Sequence, residues 1–361
     1  MGARVMIMAG GTGGHVYPAL AVARLLRARG AEICWMGAPH SFESRLIPGE
    51  GFAFLPVSVS GLRGKGLWRR LSAPFMLVGA MLQAAAVVRK ARPAVVLGMG
   101  GFVTGPGGVA SRLLGRPLVI HEQNAIPGMT NRLLAHIANR VLEAAPGSFA
   151  GARALPVGNP VRNEIAMLPE PATRFAGRDA AVRVLVLGGS LGAQALNESV
   201  PPGLARLLAR ADALDLAIRH QAGRGKCPTA EAAYRRAGLH AEVSEFIDDM
   251  AAAYGWADLV ICRAGALTVA ELAAAGVGAL LVPYPHAVDD HQTANARYLG
   301  DAGAARLLSQ SGMTPESLAD RLGELLAEGR DGLLRMAVAA RALAKPDAAA
   351  AVADACEALA R

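Results

Sequence analysis

Aromatic residues are scarce in this 361-residue chain: 3 Trp, 5 Tyr and 8 Phe. Charged residues are few as well, 18% against 53% hydrophobic. That balance excludes disorder of the low-hydrophobicity, high-charge kind. Only four cysteines occur, Cys34, Cys227, Cys262 and Cys356, and no two are close in sequence. There is no Cys-x-x-Cys, hence no zinc ligand pair, and a disulfide framework is not expected. The net charge of +8 favours an anionic partner. No Lys/Arg block interleaves with aromatics, however, so nucleic acid is not the expected one. One stretch, 71–88, carries no charge. As a helix it reaches only about 27 Å, short of the ~30 Å hydrocarbon core. It also holds Ser72, Pro74, Gly79 and Gln83. It reads as a helix of a globular domain that touches a membrane surface at most. The N-terminal apolar run Val5–Ala9 is too short for a signal segment and leads straight into glycines.

Glycine, by contrast, is abundant at 42 residues and is not periodic. It clusters after short apolar runs. Arg4–Ala9 is followed by Gly10-Gly11-Thr12-Gly13-Gly14, and Arg183–Leu187 by Gly188-Gly189-Ser190-Leu191-Gly192. Each is a buried strand, a glycine-rich loop and then a helical pattern, the opening of a doubly wound α/β unit. Further strand-like runs lie at 33–36, 95–97 and 118–120, with helical patterns at 17–29, 75–91 and 129–138 between them. The second half repeats this alternation with runs at 216–218, 259–261 and 279–282. Two α/β domains with mostly parallel sheets are expected. The boundaries are expected at 1–160 and 161–340. The Ala-rich segment 341–361 is read as a terminal helix that returns to the first domain.

The dinucleotide fingerprint is not met, because its third glycine would fall on Val16. No P-loop pattern exists either. A glycine-rich loop leading into a helix N-terminus still suits an anion or a sugar hydroxyl. His15 sits at that helix start. It can be a general base, since an imidazole takes a proton near neutral pH, or simply a histidine bonded to the backbone. A second glycine run, Gly98–Gly108, follows another strand. His121-Glu122-Gln123-Asn124 follows a third, at the sheet edge where open α/β sheets bind ligands. In the second half, Ser190 adds a hydroxyl to the phosphate-cradle pattern, and Arg162 suits bidentate phosphate contact. Glu271 stands early in a helix, where a carboxylate can accept from ribose hydroxyls or merely favour the helix dipole. His286 and Asp289-Asp290-His291-Gln292 are adjacent rather than spaced four apart, so they read as hydrogen-bonding loop chemistry and not as a metal site.

Together the motifs resemble the MurG family of glycosyltransferases over nearly the whole chain. The carriers are GGTGGHVYP (10–18), SGLRGKG (60–66), GMGGFVTGPGG (98–108), HEQN (121–124), GNPVR (158–162), GGSLGA (188–193), EFIDDMAAAY (245–254) and CRAGALTVAE (262–271). The resemblance implies a GT-B arrangement, with two Rossmann-like doubly wound domains facing a cleft. It implies inverting transfer of N-acetylglucosamine from UDP-N-acetylglucosamine to the C4 hydroxyl of the MurNAc in lipid I, giving lipid II. No cofactor and no protein-held metal are implied. Ile247 would face uracil, and Glu271 the ribose. Ser190 and the helix start Ala266-Leu267-Thr268-Val269-Ala270 would hold the diphosphate, with Arg162 also on the donor phosphates. Gln292 and Asn124 would touch the transferred sugar, and Thr12-Gly13-Gly14 would approach the donor. His15 is the first candidate base and Glu122 the alternative. Phe102 lacks the hydroxyl of the tyrosine that some members carry, so it receives no catalytic role. Trp68, Arg69, Arg70 and Phe75 would form a peripheral anchor on anionic lipid at the cytoplasmic face of the bacterial inner membrane. The rival expectations are another GT-B glycosyltransferase, a UDP-sugar epimerase, or a non-catalytic nucleotide-sugar-binding protein.

Overall fold

The computed structural model describes residues 2–58, 67–149, 154–178, 181–189, 192–211 and 214–360, without the side chains of 67–75 and 288. The chain divides into two units: Met1–Arg162 with Lys345–Arg361, and Asn163–Ala344.

The first unit is built on seven parallel strands: β1 (Arg4–Met8), β2 (Glu32–Gly37), β3 (Ala53–Pro56), β4 (Val95–Gly98), β5 (Leu118–Glu122), β6 (Arg140–Glu143) and β7 (Ala154–Pro156). Their order is β3-β2-β1-β4-β5-β6-β7. Strand β1 is a continuous apolar run because both its faces are covered, as parallel sheets require. Val5 and Ile7 point into one core with Ile33 and Trp35. Met6 and Met8 point into the other with Cys34 and Met36. That alternation is the period of two of a strand. The register pairs Val5 with Ile33 on one side and with Val95 on the other.

The second unit has six parallel strands: β8 (Val182–Leu187), β9 (Leu216–Gln221), β10 (Glu242–Ser244), β11 (Leu259–Cys262), β12 (Gly278–Leu281) and β13 (Ala305–Leu307). Their order is β10-β9-β8-β11-β12-β13. Its core joins Val184, Val186, Ile261 and Leu280 to helix residues such as Leu196, Leu204 and Leu318. Both sheets therefore change direction at their first strand, β1 and β8. The crevice at the carboxyl end of such a strand is where open α/β sheets bind ligands. Both glycine-rich loops stand there.

The unit boundaries fall after Arg162 and after Ala344, not at 160 and 340. Arg162 stays with the first unit because its guanidinium lies 5.3 Å from the centre of the Tyr17 ring. Leu343 stays with the second because its carbonyl accepts from the Tyr298 hydroxyl (2.9 Å). The terminal segment carries one helix that starts later than 341, and the helix before it is separate. Gly329–Ala342 belongs to the second unit, and Ala348–Leu359 returns to the first. There Val352, Ala353 and Cys356 enter the core beside β1. Arg29 pairs with Asp354 (2.6 Å) and Glu357 (3.1 Å) at the rim. The uncharged stretch 71–88 lies inside one helix, Leu67–Ala91. Among the described residues no helix is long and apolar enough to cross a membrane. The buried thiols of Cys34, Cys262 and Cys356 are pushed up, to about 11, 12 and 12, by desolvation. At neutral pH they are unreactive packing groups.

Candidate functional site

In the first unit the chain leaves β1 into Gly10-Gly11-Thr12 and enters the helix Gly13–Ala28. The Gly11 N–H donates to Glu43 Oε2 (3.1 Å), and the Ala38 N–H to Glu43 Oε1 (3.1 Å). Buried Glu43 thus ties the loop to the turn after β2. Thr12 closes the helix start through its carbonyl alone, which accepts from His15 and Val16 N–H. No side chain caps this end and no acidic residue stands in its first turn. Such a terminus keeps its N–H groups and positive potential for a ligand.

The second glycine run packs directly on the first. A Cβ on Gly100, whose φ is +101°, would lie 2.7 Å from His15 Nδ1. A Cβ on Gly101 would lie 2.5 Å from the Gly10 carbonyl oxygen. Only glycine allows the imidazole to rest on this backbone.

Strand β5 carries His121 and Glu122 at its carboxyl end, with Gln123 and Asn124 just beyond. Both Glu122 oxygens are occupied. Oε1 accepts from the Asn124 N–H (2.9 Å) and Nδ2 (3.0 Å). Oε2 accepts from the Gly128 N–H (3.2 Å) and Asn131 Nδ2 (2.9 Å). This carboxylate shapes the loop after β5. Gln123 Oε1 lies 2.8 Å from His15 Nδ1, and its Nε2 lies 3.1 Å from His121 Nδ1 and 3.2 Å from the His121 carbonyl. His121 Nε2 is 2.8 Å from the Gly158 carbonyl. Full burial pushes the His121 imidazole down to about 4.

In the second unit, Gly188, Gly189, Gly192 and Ala193 frame the loop after β8; Ser190 lies outside the described residues. Gln221, at the end of β9, clasps this loop. Its Oε1 accepts from the Gly189 N–H (3.0 Å), and its Nε2 donates to the carbonyls of Gly189 (3.0 Å) and Glu245 (3.1 Å). Lys226 Nζ donates to the Gly192 carbonyl (3.3 Å). Among the described residues, the helices Gln194–Leu208, Ala266–Ala275 and His291–Gly300 all begin without a side-chain cap and without an acidic residue in the first turn. Ala266, Leu267, Thr268, Val269 and Ala270 form the first turns of the middle one. On the same helix Glu271 is buried and accepts from the Tyr254 hydroxyl (3.2 Å). Asn295 Nδ2 donates to the Ala264 carbonyl (3.2 Å), joining the helix at 291 to this one. Gln292 Oε1 accepts from the Tyr284 N–H (2.9 Å). Ile247 is half-buried between β10 and the helix Met250–Trp256, whose start Asp249 caps through the Ala252 N–H (2.8 Å).

The sequence-derived residues therefore fall into two groups. Thr12, Gly13, Gly14, His15, Glu122 and Asn124 gather at the carboxyl edge of the first sheet, with Arg162 on Tyr17 of the same unit. Ile247, Ala266–Glu271 and Gln292 belong to the second unit. The side chains of Trp68, Arg69, Arg70 and Phe75 lie outside the described ones, as do residues 60–66. Sequence reasoning passed over Glu43, Gln123 and Gln221, which hold the loops. It also passed over Asn159, a buried amide whose Oδ1 and Nδ2 have no hydrogen-bond partner among the described residues. For Gln123 and Asn159 the signal was available, since each stands inside a quoted motif.

Comparison with known proteins fits this geometry. Residues 5–143 match the glycosyltransferase family 28 N-terminal domain, and residues 183–352 its C-terminal domain. The class is thus a family 28 glycosyltransferase, with two Rossmann-like parallel-sheet domains of the GT-B kind. The chain is 55% identical over 354 residues to the UDP-N-acetylglucosamine--N-acetylmuramyl-(pentapeptide) pyrophosphoryl-undecaprenol N-acetylglucosamine transferase of Marinobacter nauticus, covering 98% of this chain and 96% of that one. The crystal structure of Acinetobacter baumannii MurG superimposes with a TM-score of 0.85 at 44% identity, over 99% of each chain. The calicheamicin glycosyltransferase CalG4 shares the fold, with a TM-score of 0.67 at 16% identity over 99% of this chain and 98% of that one. The chain belongs to glycosyltransferase family 28 and, within it, to the MurG family, as its motifs led us to expect.

Proposed function

We propose that the chain moves N-acetylglucosamine from UDP-N-acetylglucosamine to the C4 hydroxyl of MurNAc in lipid I, giving lipid II with inversion. Full-length identity to a relative named for this transfer carries the reading. The parts are read as follows. The second unit takes the donor. The uncapped helix starts near Ser190 and at Ala266-Leu267-Thr268 face the diphosphate, where N–H groups stabilise the departing UDP. Ile247 presents backbone to uracil, and Glu271 accepts from the ribose hydroxyls. On the second unit Gln292 is read as touching the transferred sugar; on the first, Thr12, Gly13, Gly14, Asn124 and Arg162 are read as substrate-binding.

The first unit takes the acceptor. Its C4 oxygen attacks the anomeric carbon as the bond to the UDP oxygen breaks, and the hydroxyl proton passes to a base. His15 suits this role better than Glu122. Among the described residues, the four hydrogen bonds to Glu122 come from groups that shape its own loop, whereas His15 stands at an open helix start.

We place the enzyme peripherally, on anionic lipid at the cytoplasmic face of the inner membrane. Met76, Leu77, Val78 and Leu82 are exposed on the helix Leu67–Ala91. Leu113 is exposed at the end of the helix packed beside it, as are Met129 and Leu133 on the next. Exposed apolar side chains on three neighbouring helices suit an interfacial contact.

Purified protein with UDP-N-acetylglucosamine and a short-chain lipid I analogue tests the reaction. Disaccharide product that needs both substrates is expected. Donor binding without product would overturn the acceptor assignment, and UDP release without acceptor would point to a different reaction.

A further inference from the structure

The path from the Gly158 carbonyl through His121 and Gln123 to His15 allows each atom one role only. A carbonyl oxygen can only accept, so His121 Nε2, 2.8 Å from Gly158 O, carries a hydrogen. His121 is fully buried and stays neutral there. Its Nδ1 is therefore bare and accepts from Gln123 Nε2 at 3.1 Å. That nitrogen also lies 3.2 Å from the His121 carbonyl, a second group that only accepts.

The opposite amide orientation fails on both counts. It would set the Gln123 oxygen against a carbonyl oxygen. It would also demand hydrogens on both His121 nitrogens, a buried cation. The amide oxygen consequently faces His15 Nδ1 at 2.8 Å, and this oxygen too can only accept. His15 Nδ1 must donate. The ring cannot swing away on the side of Gly100, whose backbone lies against it.

We infer that Gln123 and His121 are positioning residues that hold His15 in its Nδ1–H tautomer, leaving the Nε2 lone pair to take the acceptor proton. When His15 gains that proton, both its nitrogens carry hydrogen and the Nδ1–H bond to the amide oxygen persists. An amide cannot take the proton onward, so the charge stays on His15 until Nε2 releases it. The inference deepens the reading of His15 as the base and rests on it.

The test is the two-bond ¹H–¹⁵N imidazole spectrum of the full-length, ¹⁵N-histidine-labelled protein, with His15 assigned by its loss in His15→Ala. A protonated, pyrrole-type Nδ1 and a bare, pyridine-type Nε2 are expected for neutral His15. The reverse pattern in the unmodified protein overturns the inference whatever any variant does. Gln123→Met removes the acceptor while keeping the volume. It should shift His15 towards the Nε2–H form and lower kcat by on the order of tenfold or more, up to the 10²–10⁴ a general base contributes. The KM for UDP-N-acetylglucosamine should stay unchanged. An unaltered kcat in this variant would also count against the inference. If His15 shows the Nδ1–H tautomer yet His15→Ala keeps its turnover, the base reading falls and the tautomer assignment stands. If His15→Ala is inactive but the spectrum shows Nε2–H, the reverse holds.

Discussion

Each unit buries one histidine near the carboxyl end of a strand, and the two are used differently. In the first, His121 connects through Gln123 to His15 on the ligand-side loop. In the second, His220 is closed in. Its Nδ1 lies 3.0 Å from the Tyr234 hydroxyl and its Nε2 3.0 Å from Asn197 Oδ1. Asn197 Nδ2 in turn donates to the Ala222 carbonyl (3.0 Å). The Tyr234 ring meets the imidazole edge-on at 5.6 Å. Burial pushes both imidazoles down to about 4. For His121 the Gly158 carbonyl dictates directly which ring nitrogen bears hydrogen, and for His220 the Asn197 amide, anchored on the Ala222 carbonyl, does so. The difference lies in where the network ends: at a half-buried ring on the ligand-side loop in one unit, at core side chains in the other. A buried polar network can therefore aim a reactive group or only fix a fold, and its last member decides which.

The comparison is easiest to break at its open end. His15→Ala should lower turnover by on the order of 10²–10⁴ with donor affinity unchanged, read from initial rates and calorimetric binding. Full turnover would show that the first network ends in nothing reactive.

Acid should then affect both units alike. Below about 6.5 the unfolded chain takes up protons that buried His121 and His220 refuse. Stability is intact above that pH and declines as pH falls towards 4, where the native imidazoles finally charge. Each contributes a loss on the order of 3 kcal/mol across this window. Denaturant midpoints at pH 7 and pH 5 measure it, and His220→Leu should flatten the slope. An equally steep slope in that variant would remove His220 from the account.

Glu271→Ala should weaken UDP-N-acetylglucosamine binding roughly 10–100-fold, since hydrogen bonds to charged groups are worth about 1.5–3 kcal/mol. Unchanged affinity by calorimetry would detach Glu271 from the ribose. The smallest effect is expected from His220→Leu at neutral pH. It leaves the Tyr234 hydroxyl and Asn197 Oδ1 unpaired, costing about 1–3 kcal/mol of stability. Its kcat per folded molecule should be normal. A kcat loss to match that of Gln123→Met would erase the distinction between the two networks.

Much of the fold could be read in advance, for a physical reason. Strands such as β1 and β8 are buried on both faces, so they stand out as unbroken apolar runs before glycines. The short strands β3 and β13 did not stand out, because Ala53, Pro56 and Arg306 are exposed and interrupt any pattern. The loops of the candidate site were legible for the same reason as their glycines. The choice between His15 and Glu122 was not. It depends on which donors reach the Glu122 carboxylate, and those come from Asn124, Gly128 and Asn131 only once the loop has folded. Gln123 stands in the quoted HEQN motif, but its role was not legible, since its partner His15 lies 108 residues away in sequence. The sequence offered Arg162 only as a phosphate contact, because its place over the Tyr17 ring exists only in three dimensions.

The return of the helix Ala348–Leu359 to the first unit has a consequence for how the molecule is made. The residues around His15 leave the ribosome before the second unit, but Val352, Ala353 and Cys356, which complete their core, leave after it. At the usual 5–20 residues/s, roughly 10–40 s of synthesis separate Arg162 from that helix. The second unit, continuous in sequence, can close during this interval. The unit whose synthesis starts first is thus completed after the second, and its core stays unsealed on one side until the helix Ala348–Leu359 arrives.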